Sequence, residues 1–141
     1  MCSSDLAVAV YNEAVSEATD ALLDARKPLL AKIDGFCIGG GLGVAMTCDL
    51  RIAAADSRFA VPAAKLGLGY KMQGLKLLVD HVGPAAAKEI FFTARFFDAE
   101  EALQLGLVHR ALPPEQLAAY VASSAPPFPP HCPLPRDAPR P

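Results

Sequence analysis

The chain has 141 residues, 52% of them apolar and 20% charged, and carries a net charge of −2. That composition supports one packed domain and argues against general disorder. The absence of a basic excess argues against a nucleic acid partner. No apolar run approaches the roughly 18 residues of a membrane span. Met1 to Ala7 lacks the basic start and long apolar stretch of a signal peptide, so a cytoplasmic location is expected. The four cysteines, at 2, 37, 48 and 132, form no C-x-x-C pair and are accompanied by three histidines. A zinc site or disulfide framework is therefore not expected, and Cys37 and Cys48 read as buried, reduced thiols.

Residues 5–25 predict a helix capped by Ser4 or Asp5. Leu6, Val10, Ala14, Val15, Ala18 and Leu22 recur at helical spacing, and Pro28 stops the run. Leu29 to Ile33 is a candidate buried strand, followed by a turn at Asp34-Gly35. Phe36-Cys37-Ile38 leads into Gly39-Gly40-Gly41, and Leu42 to Cys48 predicts a short helix. Leu50 to Ala54 and Arg58 to Val61 suit two more strands, with a loop from Leu66 to Tyr70. Leu75, Leu78, Val79 and Val82 form a helical stripe ending near Gly83, and Pro84 opens another helix through Ile90. Asp98 and Glu101 predict a capping box, Gly106 suits the C′ position, Leu107 to Leu112 a strand, and Pro114 opens a helix through Val121. Alternating strands and helices predict an α/β domain over 1–124 with parallel pairing. Eight of the 13 prolines fall between Pro126 and Pro141. Residues 125–141 therefore predict a disordered Pro-rich tail, whose only alternative role is partner docking as an extended ligand.

Eight of the ten glycines lie between Gly35 and Gly74. A dinucleotide fingerprint fails at its third position, which is Val44 or Met46, and lacks the later acidic residue. A P-loop fails because no Gly-Lys-Ser/Thr triplet exists. Two readings stay open from these residues alone. One is a tight strand-to-helix crossing; the other is an oxyanion hole, in which free backbone N–H groups at a helix start stabilise charge on a carbonyl oxygen.

The segment Lys27-Pro28-Leu29-Leu30-Ala31-Lys32-Ile33-Asp34-Gly35, the run Phe36 to Leu42 and the stretch Met46-Thr47-Cys48-Asp49-Leu50-Arg51-Ile52-Ala53 together resemble the signature of the crotonase (enoyl-CoA hydratase/isomerase) family. So do Phe59-Ala60-Val61-Pro62, Phe92-Thr93-Ala94-Arg95 and Asp98-Ala99-Glu100-Glu101-Ala102 through Val108. The resemblance covers about residues 15 to 121. It implies the ββα superhelix shared by ClpP and crotonase, represented here by an N-terminally and C-terminally incomplete copy.

The resemblance implies an acyl-CoA substrate for hydratase or isomerase chemistry in fatty-acid or related metabolism. No cofactor is implied beyond the coenzyme A carried by the substrate. Gly40 maps to the second N–H donor of the family's oxyanion hole. Cys37, Ile38, Gly39, Gly41, Pro62, Leu66 and Tyr70 map around the substrate. The family's two glutamates map to Gly43 and Ala63, which can move no proton. A catalytically impaired relative, acting only as an acyl-CoA-binding or oligomerising protein, is the alternative. Tyr70, Lys65 and Lys71 are the nearby polar residues; Tyr70 reads as a pocket wall and the lysines as solvated or near CoA phosphates. Asp49 reads as a turn or cap, His81 and His109 as packing residues. Homotrimers or hexamers are implied for the whole family domain. The earlier strand-loop bearing the first donor has no counterpart here, so the chain alone is expected to be inactive and poorly behaved.

Overall fold

The computed structural model describes residues 3–67, 69–70 and 72–124; the side chains of 3–7 and the Pro-rich stretch 125–141 fall outside that description. A long helix, α1 (Ser3–Leu23), precedes two strands, β1 (Leu30–Ile33) and β2 (Phe36–Ile38), and a short helix, α2 (Gly40–Thr47). The motif then repeats as β3 (Leu50–Ala54), β4 (Arg58–Ala60) and the one-turn helix α3 (Ala63–Leu66). A helical segment broken at Gly83, α4 (Met72–Thr93), follows, then β5 (Phe97–Asp98), α5 (Ala99–Gln104), β6 (Arg110–Leu112) and α6 (Pro114–Ser124).

The two ββα units explain the sheets. Each turn of the spiral contributes one strand to each of two sheets, ordered β1-β3-β6 and β2-β4-β5. Parallel pairing sets Leu30 beside Leu50 and Phe36 beside Arg58. Strand β5 departs from the expected all-parallel sheet: it runs antiparallel to β4, with Phe97 opposite Phe59. Those two rings stack with centroids 5.6 Å apart, which ties this two-residue strand to the core although its length gives no periodicity to read.

Strand β3 is central and buried on both faces, as a parallel strand should be. Ala53 faces the larger core, built around Leu42, Phe59, Ile90 and Leu107, while Ile52 and Ala54 face Leu117 of α6. Buried Leu42, Ala45 and Met46 give α2 one inward face. Its three glycines each cost up to about 1 kcal/mol relative to alanine in a helix interior, so packing rather than propensity holds it.

Several expectations need correction. The expected loop from Leu66 to Tyr70 begins inside α3, which ends in left-handed Gly67. The break at Gly83 is not one of these: as expected, one helix ends there and Pro84 opens the next, and the two are joined within α4 at Gly83, whose φ of 77° leaves the helical path. The final strand is Arg110–Leu112 rather than Leu107 to Leu112. Asp98 caps α5, accepting from the Glu101 N–H at 2.9 Å, but the capping box is half closed. The Glu101 carboxylate instead receives Arg95, which also bonds Glu89. Gly106 occupies the C′ position with φ 76°, and the N–H groups of Gly106 and Leu107 return to Leu103 and Ala102, a Schellman closure.

Candidate functional site

The path from β2 into α2 turns on Gly39. Its backbone, φ 53° and ψ −113°, lies in a region that side-chain-bearing residues avoid. Its N–H donates to the Ala60 carbonyl of the neighbouring strand at 2.9 Å, and its own carbonyl accepts from Gly43. The turn is thus anchored to β4 on one side and starts the helix on the other. No side chain caps α2. The Gly40 N–H, at the first helical position, has no acceptor among the described residues and forms part of the positive end of the helix dipole.

The structure brings Gly39, Pro62 and Tyr70 together. A β-carbon on Gly39 would stand 3.8 Å from Pro62 Cδ and 4.0 Å from the Tyr70 hydroxyl. Tyr70 is half-buried and packs edge-on against Phe91, with centroids 5.5 Å apart. Burial pushes its phenol pKa up, which suits a wall or a neutral donor and not a base. Around Gly40, Gly41 and Gly43 the space is open: a β-carbon at any of the three would meet nothing beyond its own helix within 4 Å.

Other predicted residues stand apart from this group. Leu66 is 62% exposed at the end of α3. Ile38 is half-buried in β2, paired with Ala60. Cys37 packs into the core, and burial pushes its thiol up to about 11. With Gly41, Val44 and Cys48 it lines an open hollow of about 380 Å³ between β1, β2 and α2. Ala63 is 1% exposed, so one of the two acid/base positions is embedded in the core. Gly43 is half-buried beside open space. Lys65 is exposed, and Lys71 lies outside the described residues.

The polar residues read as structural take structural positions. The Asp49 carboxylate accepts from the Leu29 N–H at 2.7 Å, fastening the entry to β1. His81 Nε2 lies 3.0 Å from the Met46 carbonyl, and His109 Nδ1 accepts from the Arg51 N–H at 3.1 Å. Sequence reasoning treated Arg51 only as part of a strand motif. It is 3% exposed, and its guanidinium donates to the Leu107 and Cys48 carbonyls, each at 2.6 Å. An arginine within an otherwise apolar strand was the available signal, since a buried cation must find acceptors. No cluster of three metal-ligating side chains occurs among the described residues.

Comparison with known proteins fits this architecture. The enoyl-CoA hydratase/isomerase family model matches residues 2–126. A crotonyl-CoA hydratase of Syntrophomonas wolfei is 40% identical over 100 residues, which are 71% of this chain and 38% of that protein. A short-chain-enoyl-CoA hydratase of Clostridium acetobutylicum is 41% identical over 92 residues, 65% of this chain and 35% of that protein. Among solved structures, an enoyl-CoA hydratase/carnithine racemase from Magnetospirillum magneticum superposes with a TM-score of 0.80 at 34% identity. The match covers 83% of this chain and 44% of that one. The chain therefore spans about two fifths of the length of these relatives. With the ββα spiral, the glycine turn and these matches agreeing, the chain belongs to the enoyl-CoA hydratase/isomerase family.

Proposed function

We propose that the protein binds an acyl-CoA thioester and stabilises enolate character on it through the Gly40 N–H. The observation that carries this reading is the unaccepted Gly40 amide at the start of α2, in open space and next in sequence to Gly39, which Pro62 and Tyr70 flank. A thioester oxygen placed there would receive a backbone hydrogen bond that strengthens as negative charge develops. Loss of such a donor costs about 2.7–4 kcal/mol of barrier in comparable sites. Coenzyme A enters as part of the substrate, and no separate cofactor is invoked. A trimer or pair of trimers is the proposed assembly of the whole protein, in the cytoplasm.

Calorimetric titration with crotonyl-CoA tests the reading. Saturable binding that Gly40→Pro abolishes and Gly40→Ala retains is the expected result. Proline is accepted at the first helical position but has no N–H to donate. Absence of saturable binding, or binding indifferent to Gly40→Pro, overturns it.

A second reading rests on a separate observation. Gly43 and Ala63 supply no carboxylate, and Ala63 is buried. On this reading the protein keeps the thioester cradle, or only an oligomerising surface, without hydration. Hydration of crotonyl-CoA at rates of ordinary hydratases would exclude it.

A further inference from the structure

Side chains from two other elements fasten the carboxyl end of α2, a helix of eight residues. Met46 offers its carbonyl to His81 Nε2, and Cys48, the C-cap, offers its carbonyl to Arg51. His81 sits in the last turn before the break at Gly83, so it comes from the end of one helix and meets the end of another. Gly106 closes over the same residue: a β-carbon there would stand 3.5 Å from the His81 carbonyl oxygen. The His81 backbone thus lies close to Gly106 while its ring reaches α2. The charged and titratable groups around the ring are Arg51 from β3, His109 before β6, and Asp80 on its own helix.

We propose that His81 is a positioning residue for the Gly40 amide. A carbonyl accepts, so the ring must present Nε2–H to Met46. Eight residues at 1.5 Å each make α2 a rod of about 12 Å. Fixing its carboxyl end against α4 therefore fixes where its amino end directs Gly40 N–H. The glycines at 40, 41 and 43 leave the rod little intrinsic helical preference, which makes an external anchor at the far end consequential. Burial first, and then the Arg51 charge, favour the neutral imidazole, and the Met46 carbonyl selects the tautomer with hydrogen on Nε2. The purpose of this positioning rests on the reading of Gly40 as a carbonyl donor.

Amide hydrogen exchange tests the positioning without any acyl-CoA present, so its failure is distinct from failure of crotonyl-CoA binding. The probe is the Gly43 N–H, which bonds Gly39 in the first turn of α2; the control is the Arg58 N–H, which bonds Gly35 in the other sheet. His81→Phe keeps the ring volume and loses the donor, whereas His81→Gln keeps an N–H. Exchange at Gly43 should quicken between about twofold and about tenfold in His81→Phe, the worth of one hydrogen bond, with Arg58 unchanged. His81→Gln should restore the parent rate. Equal acceleration at both amides, no change at Gly43, or a His81→Gln that behaves like His81→Phe overturns the proposal. Should His81→Phe not fold, ring nitrogen NMR on the parent decides: hydrogen on Nδ1 overturns it, and hydrogen on Nε2 with parent-like Gly43 exchange in His81→Gln supports it.

Discussion

The Tyr70 hydroxyl stands 4.0 Å from the point where a β-carbon on Gly39 would lie, and Pro62 Cδ stands 3.8 Å from it. Both are ordinary contact distances, so crowding alone does not demand glycine. The backbone does: φ 53° with ψ −113° is strained for any residue bearing a β-carbon. Gly39→Ala should therefore destabilise the fold by about 1–3 kcal/mol, the usual cost of such a conformation. Urea denaturation measures it. A loss well under that range would mean the turn relaxes.

The two positions lacking carboxylates should respond differently to their return. Gly43→Glu meets open space in the first turns of α2, where a better helix former and a negative charge are both favoured. Stability should stay level or rise by up to about 1 kcal/mol. Ala63→Glu places a carboxylate at a site 1% exposed, and should cost more than about 2 kcal/mol. Thermal melts of the two single variants make the comparison; equal effects would contradict the difference in burial.

Acid should weaken the fold through its histidines. Burial, with the Arg51 charge, holds His81 and His109 below the ordinary imidazole value. Depressed folded values mean that the unfolded chain binds the extra protons first. The histidine contribution is thus whole above about pH 6.5 and is lost as pH falls through the folded values. Urea midpoints taken from about pH 7.5 down to about pH 5 should fall, and His109→Gln should flatten part of the slope. A slope unchanged by that variant would show that other groups carry the effect.

Thiol labelling separates the two described cysteines. The Cys37 thiol is buried and pushed up to about 11, so almost no thiolate exists at neutral pH. Burial also raises Cys48, but the nearby Arg51 charge opposes the shift. Site-resolved mass spectrometry after mild alkylation should find Cys48 modified well before Cys37. The reverse order would place Cys37 in a more accessible setting.

Hydration of crotonyl-CoA by the 141-residue chain should be undetectable, because neither Gly43 nor Ala63 can act on water. A spectrophotometric assay against a relative with hydratase activity checks this. Sedimentation velocity on the same sample tests the expected self-association: a single monomer species would contradict it.

Much of this fold is legible along the chain because its units are short and local. The Gly39–Gly41 run, the Asp98 cap and the Gly106 closure each follow from a residue's own conformational chemistry. Strand β5 was hidden because two residues have no period, and its pairing rests on Phe59, 38 positions away in sequence. Helix α3 was hidden because a single turn of Ala63–Leu66 offers no amphipathic stripe. Ala94 adopts φ 46° with no glycine to announce it. At the site, the glycine turn was readable, but its nearness to Tyr70 depends on how α3 and α4 pack. The anchoring of α2 by His81 joins residues 35 positions apart, beyond any local signal.

The spiral order of the strands has a kinetic corollary. In the first two turns, partners lie only 20 to 22 positions apart, as with Leu30 and Leu50 or Phe36 and Arg58. Each turn can template the next soon after it is made. Strand β6 breaks that rule, since Ile52 must wait for Arg110, and Leu117 of α6 closes the small second core on the same strand. The β6–α6 flap therefore closes the longest loop in that sheet and should be the last piece to dock and the first to open. While it is open, Ile52 and Ala54 lie bare on β3, so the lifetime of that open form sets how often this chain offers a sticky strand to its neighbours.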